Sequence, residues 1–140
     1  ESALESLPAH TAKIKKAARD IGREVRTLIN PIIVSRETER ETEEYASHIA
    51  SLAAAGRGNF NYASDAHAWK GRLDPNARKA RGLGGNIEII GTPEQVIDQL
   101  LGLKAAGIDG VQIGFHDFVG DLEFFGERIL PLMKEAGLRN

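Results

Sequence analysis

Apolar residues recur with a helical period in several stretches of the chain and with a strand-like density in the stretches between them. The first helical stretch is expected to begin at a Ser6 cap with Pro8 in its first turn, and to end at Gly22. Its apolar stripe consists of Leu4, Leu7, Ile14, Ala18 and Ile21. A nearly continuous apolar run, 28–34, then predicts a strand within 25–35 that is buried on both faces. Pro31 weakens that strand, because proline cannot donate to a ladder.

The second helix has a clear start signal. Thr38 and Glu41 have the spacing of a capping box, and residues 56–58, with two glycines, end the helix. Its apolar face consists of Tyr45, Ile49, Leu52 and Ala53. After a long irregular stretch, 86–90 predicts a second strand.

The last part of the chain repeats the alternation of strand and helix. Thr92 and Gln95 form a second capping box around Pro93, and the helix they open ends at Gly107. Residues 111–115 predict the last strand. Asp121 is then expected to cap a final helix, whose apolar stripe consists of Leu122, Phe125, Ile129, Leu132, Met133 and Ala136.

Regular alternation with short turns predicts an α/β fold with parallel strands and helical crossovers. The chain has 140 residues, enough for one domain. A (β/α)₈ barrel needs about 250 residues. We therefore interpret residues 1–140 as the last third of a larger α/β domain, and the absence of an initiating Met supports a fragment or a processed product.

Composition excludes several classes of protein. The net charge is −2, so no strong field favours nucleic acid or an anionic membrane. The chain has no cysteine, which excludes disulfides, a thiolate nucleophile and a Cys-ligated zinc site. No apolar run is long enough to span a bilayer and no signal peptide is visible, so a cytoplasmic location is the default expectation.

Some candidate motifs have an ordinary structural explanation. His67 beside Asp65, and His116 beside Asp117, could ligate a metal, but such pairs are common by chance and we predict no metal site. The "GTPEQV" turn, 91–96, could bind a phosphate at a helix N-terminus or could simply cap the helix, and capping is the more frequent case.

Three motifs in the second half resemble one enzyme family. They are Gly91-Thr92-Pro93-Glu94, Ala106-Gly107-Ile108-Asp109 and Leu130-Pro131-Leu132, and the stretch "AARDIGREVRTLINPIIVSRETERE" fits upstream. Together they resemble the C-terminal portion of the bacterial-luciferase-like flavin-dependent monooxygenases. "SDAHAWKGR" and "GFHDFVGDLEFFGE" are most similar to the branch that contains the dimethylsulfone and alkanesulfonate monooxygenases.

The resemblance implies a (β/α)₈ TIM barrel with a lid-like insertion, of which this chain is the C-terminal part. It implies reduced FMN (FMNH₂) as cofactor, O₂ as co-substrate and a separate NAD(P)H-dependent flavin reductase as partner. The implied reaction oxidises a small organosulfur compound, a sulfone or an alkanesulfonate, and cleaves its C–S bond. A homo-oligomer is also implied. The first barrel strands, with most of the flavin contacts, are missing from this sequence, so the chain alone is expected to be inactive.

The irregular segment 57–85 is the implied lid, which would keep water from the reaction of reduced flavin with O₂. Arg81, next to a glycine-rich hinge, resembles a substrate-contacting arginine of the alkanesulfonate enzymes. The other implied catalytic residues are His67 and His116, and the implied substrate or lid residues are Trp69, Arg72 and Arg78.

Each of these residues has a plainer explanation that stays open. Basic side chains in a long loop are usually solvated, and His67 and Trp69 could anchor the loop to the barrel. His116 follows the last strand, at the end where barrel active sites lie, but it could be a surface histidine bonded to Asp117. The alternative function is a non-catalytic partial barrel kept for flavin binding or oligomerisation, for which so long a basic and aromatic insertion has little use.

Overall fold

A computed structural model of the chain describes residues 3–56 and 87–139. The predicted insertion 57–85 lies outside these ranges. In chain order the elements are α1 (Ala3–Asp20), β1 (Leu28–Ile29), β2 (Pro31–Val34), α2 (Glu39–Gly56), β3 (Ile87–Ile90), α3 (Pro93–Ala105), β4 (Gly110–Val111), α4 (Phe118–Phe124), a π-helical turn (Phe125–Ile129) and α5 (Leu130–Glu135).

All strand pairs in the described residues are parallel. β1 pairs with β4, with Leu28 opposite Gly110, and β2 pairs with β3 from Pro31 opposite Ile87 onward. An isolated parallel bridge between Ile32 and Gly114 extends the β1–β4 pairing. Residues 110–114, which we call the β4 segment, therefore run alongside both β1 and β2. The segment 28–34 therefore lies in the middle, with β3 on one side and the β4 segment on the other.

Helices cover both faces of this sheet. Ile33 and Ile89 face the larger core, where α3, the π-helical turn and α5 contribute Val96, Leu100, Leu103, Ile129 and Met133 among others. Ile32 and Val34 point the other way, toward Ala46 and Ile49 of α2. Successive residues of a strand face opposite sides, so the unbroken apolar run of β2 needs a helix on each side.

The predicted α/β alternation with parallel strands is confirmed, while the sheet order differs from that of a barrel. Consecutive barrel strands are neighbours and their helices form a single outer ring. In the described residues the first strand is central instead, and α2 lies opposite α3 and α5. Three strands cannot close into a barrel, so no barrel interior covers one face of β2. Because both faces of β2 are apolar, helices cover each of them instead.

Both predicted capping boxes are confirmed. The Thr38 backbone N donates to Glu41 Oε2 at 3.1 Å, and the Glu41 backbone N donates to Thr38 Oγ1 at 3.2 Å. At α3, the Thr92 backbone N donates to Gln95 Oε1 at 3.0 Å, and Pro93 occupies the first turn. These side chains satisfy N–H groups that the start of a helix leaves without intrahelical partners.

Two predicted helix starts are wrong. α1 begins at Ala3 rather than at a Ser6 cap, so Pro8 lies inside the helix and not in its first turn. The cap of α4 is Asp117, whose Oδ1 accepts from the Gly120 backbone N at 3.4 Å, and Asp121 lies one turn further on with 4% exposure. Asp117 and Asp121 are both suitable N-cap residues by sequence. The side chain of Asp121 is instead bonded to Arg36 and Tyr45, so Asp117 caps the helix.

α1 is attached to the turn that precedes β4. Thr11 Oγ1 donates to the Ala106 carbonyl at 2.7 Å, and Lys15 Nζ donates to the Gly107 carbonyl at 2.8 Å. Gly107 has a φ of 90°, and a Cβ there would lie 2.8 Å from Thr11 Oγ1. Gly107 thus ends α3 as predicted, in a conformation and a space that suit glycine alone.

Across residues 3–56 and 87–139, the helices are all too short or too polar to cross a membrane.

Candidate functional site

The carboxyl ends of β2 and of the β4 segment form a crevice where the chain leaves the sheet in two directions. After β2 the chain passes through Ser35 and Arg36 to α2, on one face. After Gly114 it passes through Phe115 and His116 to the helices on the other face. In open α/β sheets, ligands bind outside the carboxyl ends of strands at such a switch point. We therefore place the candidate site here.

A buried carboxylate connects the two sides of the crevice. Asp121 is 4% exposed, and its Oδ1 accepts a hydrogen bond from Arg36 Nη1 at 2.9 Å. Its Oδ2 accepts from the Tyr45 hydroxyl at 3.0 Å. Arg36 Nη1 also donates to the Ser35 carbonyl at 2.7 Å. The buried charge is therefore paired, and both of its oxygens accept hydrogen bonds, as burial of a carboxylate requires.

The same carboxylate fixes the backbone that follows the last strand. Asp121 Oδ2 accepts from the backbone N of His116 at 3.2 Å and of Asp117 at 3.1 Å. These N–H groups lie just before α4, where the chain turns away from the sheet. The position of His116 at the crevice is thus set by a side chain that is itself bonded to the opposite loop.

Aromatic rings enclose this ionic group. The Arg36 guanidinium lies over the Tyr45 ring, 3.7 Å from its centroid, and 5.8 Å from that of Phe124. Such stacking is favourable for a planar cation, and it leaves the hydrogen-bonding edge of the guanidinium free for Asp121. Burial, and then the hydrogen bond to Asp121, raises the pKa of the Tyr45 hydroxyl. Tyr45 is therefore a neutral donor at physiological pH.

A groove of about 420 Å³ opens beside this network, in the size range of small-molecule sites. It is lined by Tyr45, His48, Ile49, Leu52, His116 and Asp117. α2 supplies an apolar floor, and the two imidazoles are exposed on the rim. The groove can hold a small, partly apolar molecule and offer it polar contacts and proton-transfer groups.

Only His116 among the predicted site residues falls in the described ranges, and it lies in this groove. Arg81, His67, Trp69, Arg72 and Arg78 lie outside the described residues. The roles predicted for all of them stay predictions.

The sequence interpretation missed the residues that hold the site together. Arg36 is not among the predicted site residues, and Tyr45 is predicted only as part of the apolar face of a helix. Arg36 could have been proposed as a site residue, because it follows the carboxyl end of a buried strand. Asp121 carried no such signal, because its two side-chain partners lie 76 and 85 positions away.

The described residues do not form a metal centre or a phosphate cradle. No three His, Cys, Asp or Glu side chains within 3–56 and 87–139 converge as metal ligands. At the start of α3, the Thr92 and Gln95 backbone N–H groups are used by the helix's own capping box. This agrees with the capping interpretation of "GTPEQV". These residues therefore do not fit the phosphate of a flavin nucleotide, and we assign no flavin-dependent step to them.

Comparison with known proteins finds relatives that match most of this chain but only part of their own length. No protein-family model matches the chain. The chain is 29% identical, over 96% of its length, to the FMNH₂-dependent dimethylsulfone monooxygenase of Pseudomonas fluorescens. It is 30% identical, over 87% of its length, to the pyrimidine monooxygenase RutA of Variovorax paradoxus. It spans only 39% and 35% of these two relatives.

One solved structure has a fold similar to that of this chain over almost its whole length. The structure superposes on the long-chain alkane monooxygenase LadA with a TM-score of 0.69 and 21% identity, covering 99% of this chain and 36% of LadA. At that identity the likeness shows the fold alone. Taken with the sequence relatives, it shows that the chain is related to the bacterial-luciferase-like flavin-dependent monooxygenases and corresponds to their C-terminal part.

Proposed function

We propose that this chain is the C-terminal part of a reduced-FMN-dependent, two-component monooxygenase that acts on a small organosulfur compound. The observation that carries the proposal is the similarity to dimethylsulfone monooxygenase over 96% of the chain. In the complete domain, the described strands would belong to a (β/α)₈ barrel. Its active site would lie at their carboxyl ends, where the crevice and groove are.

The substrate would be a sulfone or an alkanesulfonate, oxidised with O₂ and cleaved at its C–S bond. The partners would be O₂, an NAD(P)H-dependent flavin reductase and further copies of the same protein. Bound reduced FMN would supply the electrons that activate O₂. Residues of this chain would bind and orient the substrate beside it.

Sulfone and sulfonate oxygens are hydrogen-bond acceptors, so the site needs donors in fixed positions. Arg81 would supply a planar fork of donors that stays charged at any working pH. His67 and His116 would hold or transfer protons, and Trp69, Arg72 and Arg78 would complete the substrate contacts. For His116, the described geometry supports this role, because it lines the groove and its backbone is held by Asp121.

The test uses the longest natural polypeptide that contains this sequence. Reduced FMN is generated by an added flavin reductase, and the loss of dimethylsulfone, a short alkanesulfonate or uracil is followed by mass spectrometry. We expect one of the two sulfur compounds, and not uracil, to be consumed in proportion to the FMNH₂ supplied.

The two contrary outcomes have different meanings. Consumption of uracil alone would transfer the chain to the pyrimidine branch, which the similarity to RutA makes a specific alternative. In the second outcome, the protein binds flavin, consumes none of the substrates, and oxidises FMNH₂ at the same rate with and without substrate. That result would indicate a non-catalytic flavin-binding module.

A further inference from the structure

A small, partly open cavity lies at the crevice, between the end of β2 and the helical segment after β4. Its volume is about 10 Å³. The walls combine a polar side, formed by Ser35, Arg36 and Asp121, with an apolar side that includes Ile33 and Ile129. About 10 to 15 Å³ by this measure is the space that one water molecule requires. The cavity therefore has room for a single small polar molecule.

Ser35 supplies an unexplained polar group at this cavity. The residue is 3% exposed, and its Oγ is the one buried side-chain N or O atom in the described residues that has no hydrogen-bond partner. A buried hydroxyl without a partner costs about 1 to 3 kcal/mol. Such groups in native proteins are normally bonded to protein or to an ordered water molecule.

The neighbouring charged groups have hydrogen-bonding capacity to spare. Within the described residues, Asp121 Oδ1 accepts one hydrogen bond, from Arg36, whereas Oδ2 accepts three. The Arg36 guanidinium has five N–H groups, and its described bonds use only Nη1. A molecule in the cavity would thus meet a hydroxyl, a carboxylate oxygen and a guanidinium.

We propose that this cavity is a binding site for one ordered water molecule, which bridges Ser35 Oγ to the Arg36–Asp121 pair. Water fits because it both donates and accepts, and it needs two to four polar partners. A metal ion does not fit, because the guanidinium lies on the same wall. The water molecule would connect the loop after β2 to α4, in addition to the direct hydrogen bond between Arg36 and Asp121. This connection does not depend on which substrate the crevice binds.

The first test is a crystal structure at about 1.2 Å resolution, where ordered water is unambiguous. We expect a spherical peak 2.7 to 3.2 Å from Ser35 Oγ and from a second polar atom of Arg36 or Asp121. A well-ordered Ser35 with no peak in the cavity would overturn the proposal.

The second test is the melting temperature of Ser35→Ala. If a water molecule is bonded to the Ser35 hydroxyl, removal of the hydroxyl leaves that water with one hydrogen bond fewer and lowers Tm by about 2 to 5 °C. If the hydroxyl is unsatisfied, its removal relieves a penalty and raises Tm instead. Ser47→Ala, on the exposed face of α2, is the matched control and should stay within about 2 °C. A Ser35→Ala variant more stable than both the parent and this control contradicts a bound water.

Discussion

At the scale of single residues, the Asp121 carboxylate joins both sides of the candidate site. It accepts from Arg36, Tyr45 and two backbone N–H groups, and it is nearly inaccessible to solvent. Every one of these partners is a donor. An amide in its place would turn an NH₂ group toward at least one donor and would leave Arg36 without its counter-charge.

We therefore expect Asp121→Asn to lower the free energy of unfolding by about 2 to 3 kcal/mol, measured by urea denaturation at neutral pH. Asp117→Asn is the matched control. It removes the same charge four residues away, but asparagine is as good an N-cap as aspartate, so its effect should stay below about 0.5 kcal/mol. Equal effects of the two variants would show that the Arg36–Asp121 pair contributes nothing specific.

Arg81 carries the main residue-level prediction about catalysis. A guanidinium that donates to the substrate during the reaction should stabilise the reacting complex more than it aids flavin binding. Losing one such contact costs on the order of 3 kcal/mol, or about a hundredfold in rate. Arg81→Ala should therefore lower turnover about a hundredfold with flavin affinity unchanged, and Arg81→Lys should restore only part of it.

The measurement is product formation with a supplied reductase, together with flavin affinity from fluorescence quenching. Arg23→Ala, an exposed arginine between α1 and β1, serves as the control and should leave turnover unchanged. Near-normal turnover of Arg81→Ala would remove the proposed role and make Arg78 or His67 the next candidate.

At the scale of elements, the attachment of α1 to the start of β4 depends on a carboxylate. Lys15 Nζ lies 2.7 Å from Asp109 Oδ2, and the Thr27 backbone N donates to the same oxygen at 2.8 Å. The hydrogen bond from Lys15, followed by that from Thr27, lowers the pKa of Asp109 from 3.8 to about 2. Because the folded-state pKa is depressed, this contribution is present above about pH 4 and is lost as the pH falls through 2.

Asp109→Asn should therefore lower the urea midpoint at pH 6, and its difference from the parent should shrink between pH 4 and pH 2. Asp20→Asn, at an exposed pair with Lys16, controls for the loss of a surface charge and should show a much smaller effect at pH 6. A parent-to-variant difference that persists unchanged at pH 2 would contradict the assigned pKa.

The elements also show where sequence patterns are sufficient and where they are not. The boxes at Thr38 and Thr92 depend on residues three positions apart, so local chemistry determines them and they were predictable. The start of α1 was not, because the helix begins at Ala3, before the expected Ser6 cap, and Pro8 lies inside it. The role of Asp121 was not predictable either, since its side-chain partners Arg36 and Tyr45 are distant in sequence.

At the scale of the whole molecule, the apolar run 28–34 predicted one strand buried on both faces, and this is confirmed for β2, which begins at Pro31 and is buried throughout. It is wrong for β1, whose Leu28 is exposed. The central place of this segment in the sheet did not follow from the sequence. Alternation predicts parallel crossovers but does not decide on which side of a strand the next strand pairs. The candidate site shares this limit, because a crevice between β2 and the β4 segment exists only once that order is known.

The most direct measurement of the proposed function is the fate of molecular oxygen in the longest natural polypeptide that contains this chain. The enzyme is supplied with reduced FMN, the organosulfur substrate and ¹⁸O₂, and the rapidly trapped organic product is analysed by mass spectrometry. A monooxygenase incorporates one ¹⁸O atom for each substrate molecule cleaved, and a parallel reaction under ¹⁶O₂ gives unlabelled products. Recovery of the ¹⁸O only as hydrogen peroxide, with the substrate intact, would contradict the proposal that this chain is part of a reduced-FMN-dependent monooxygenase.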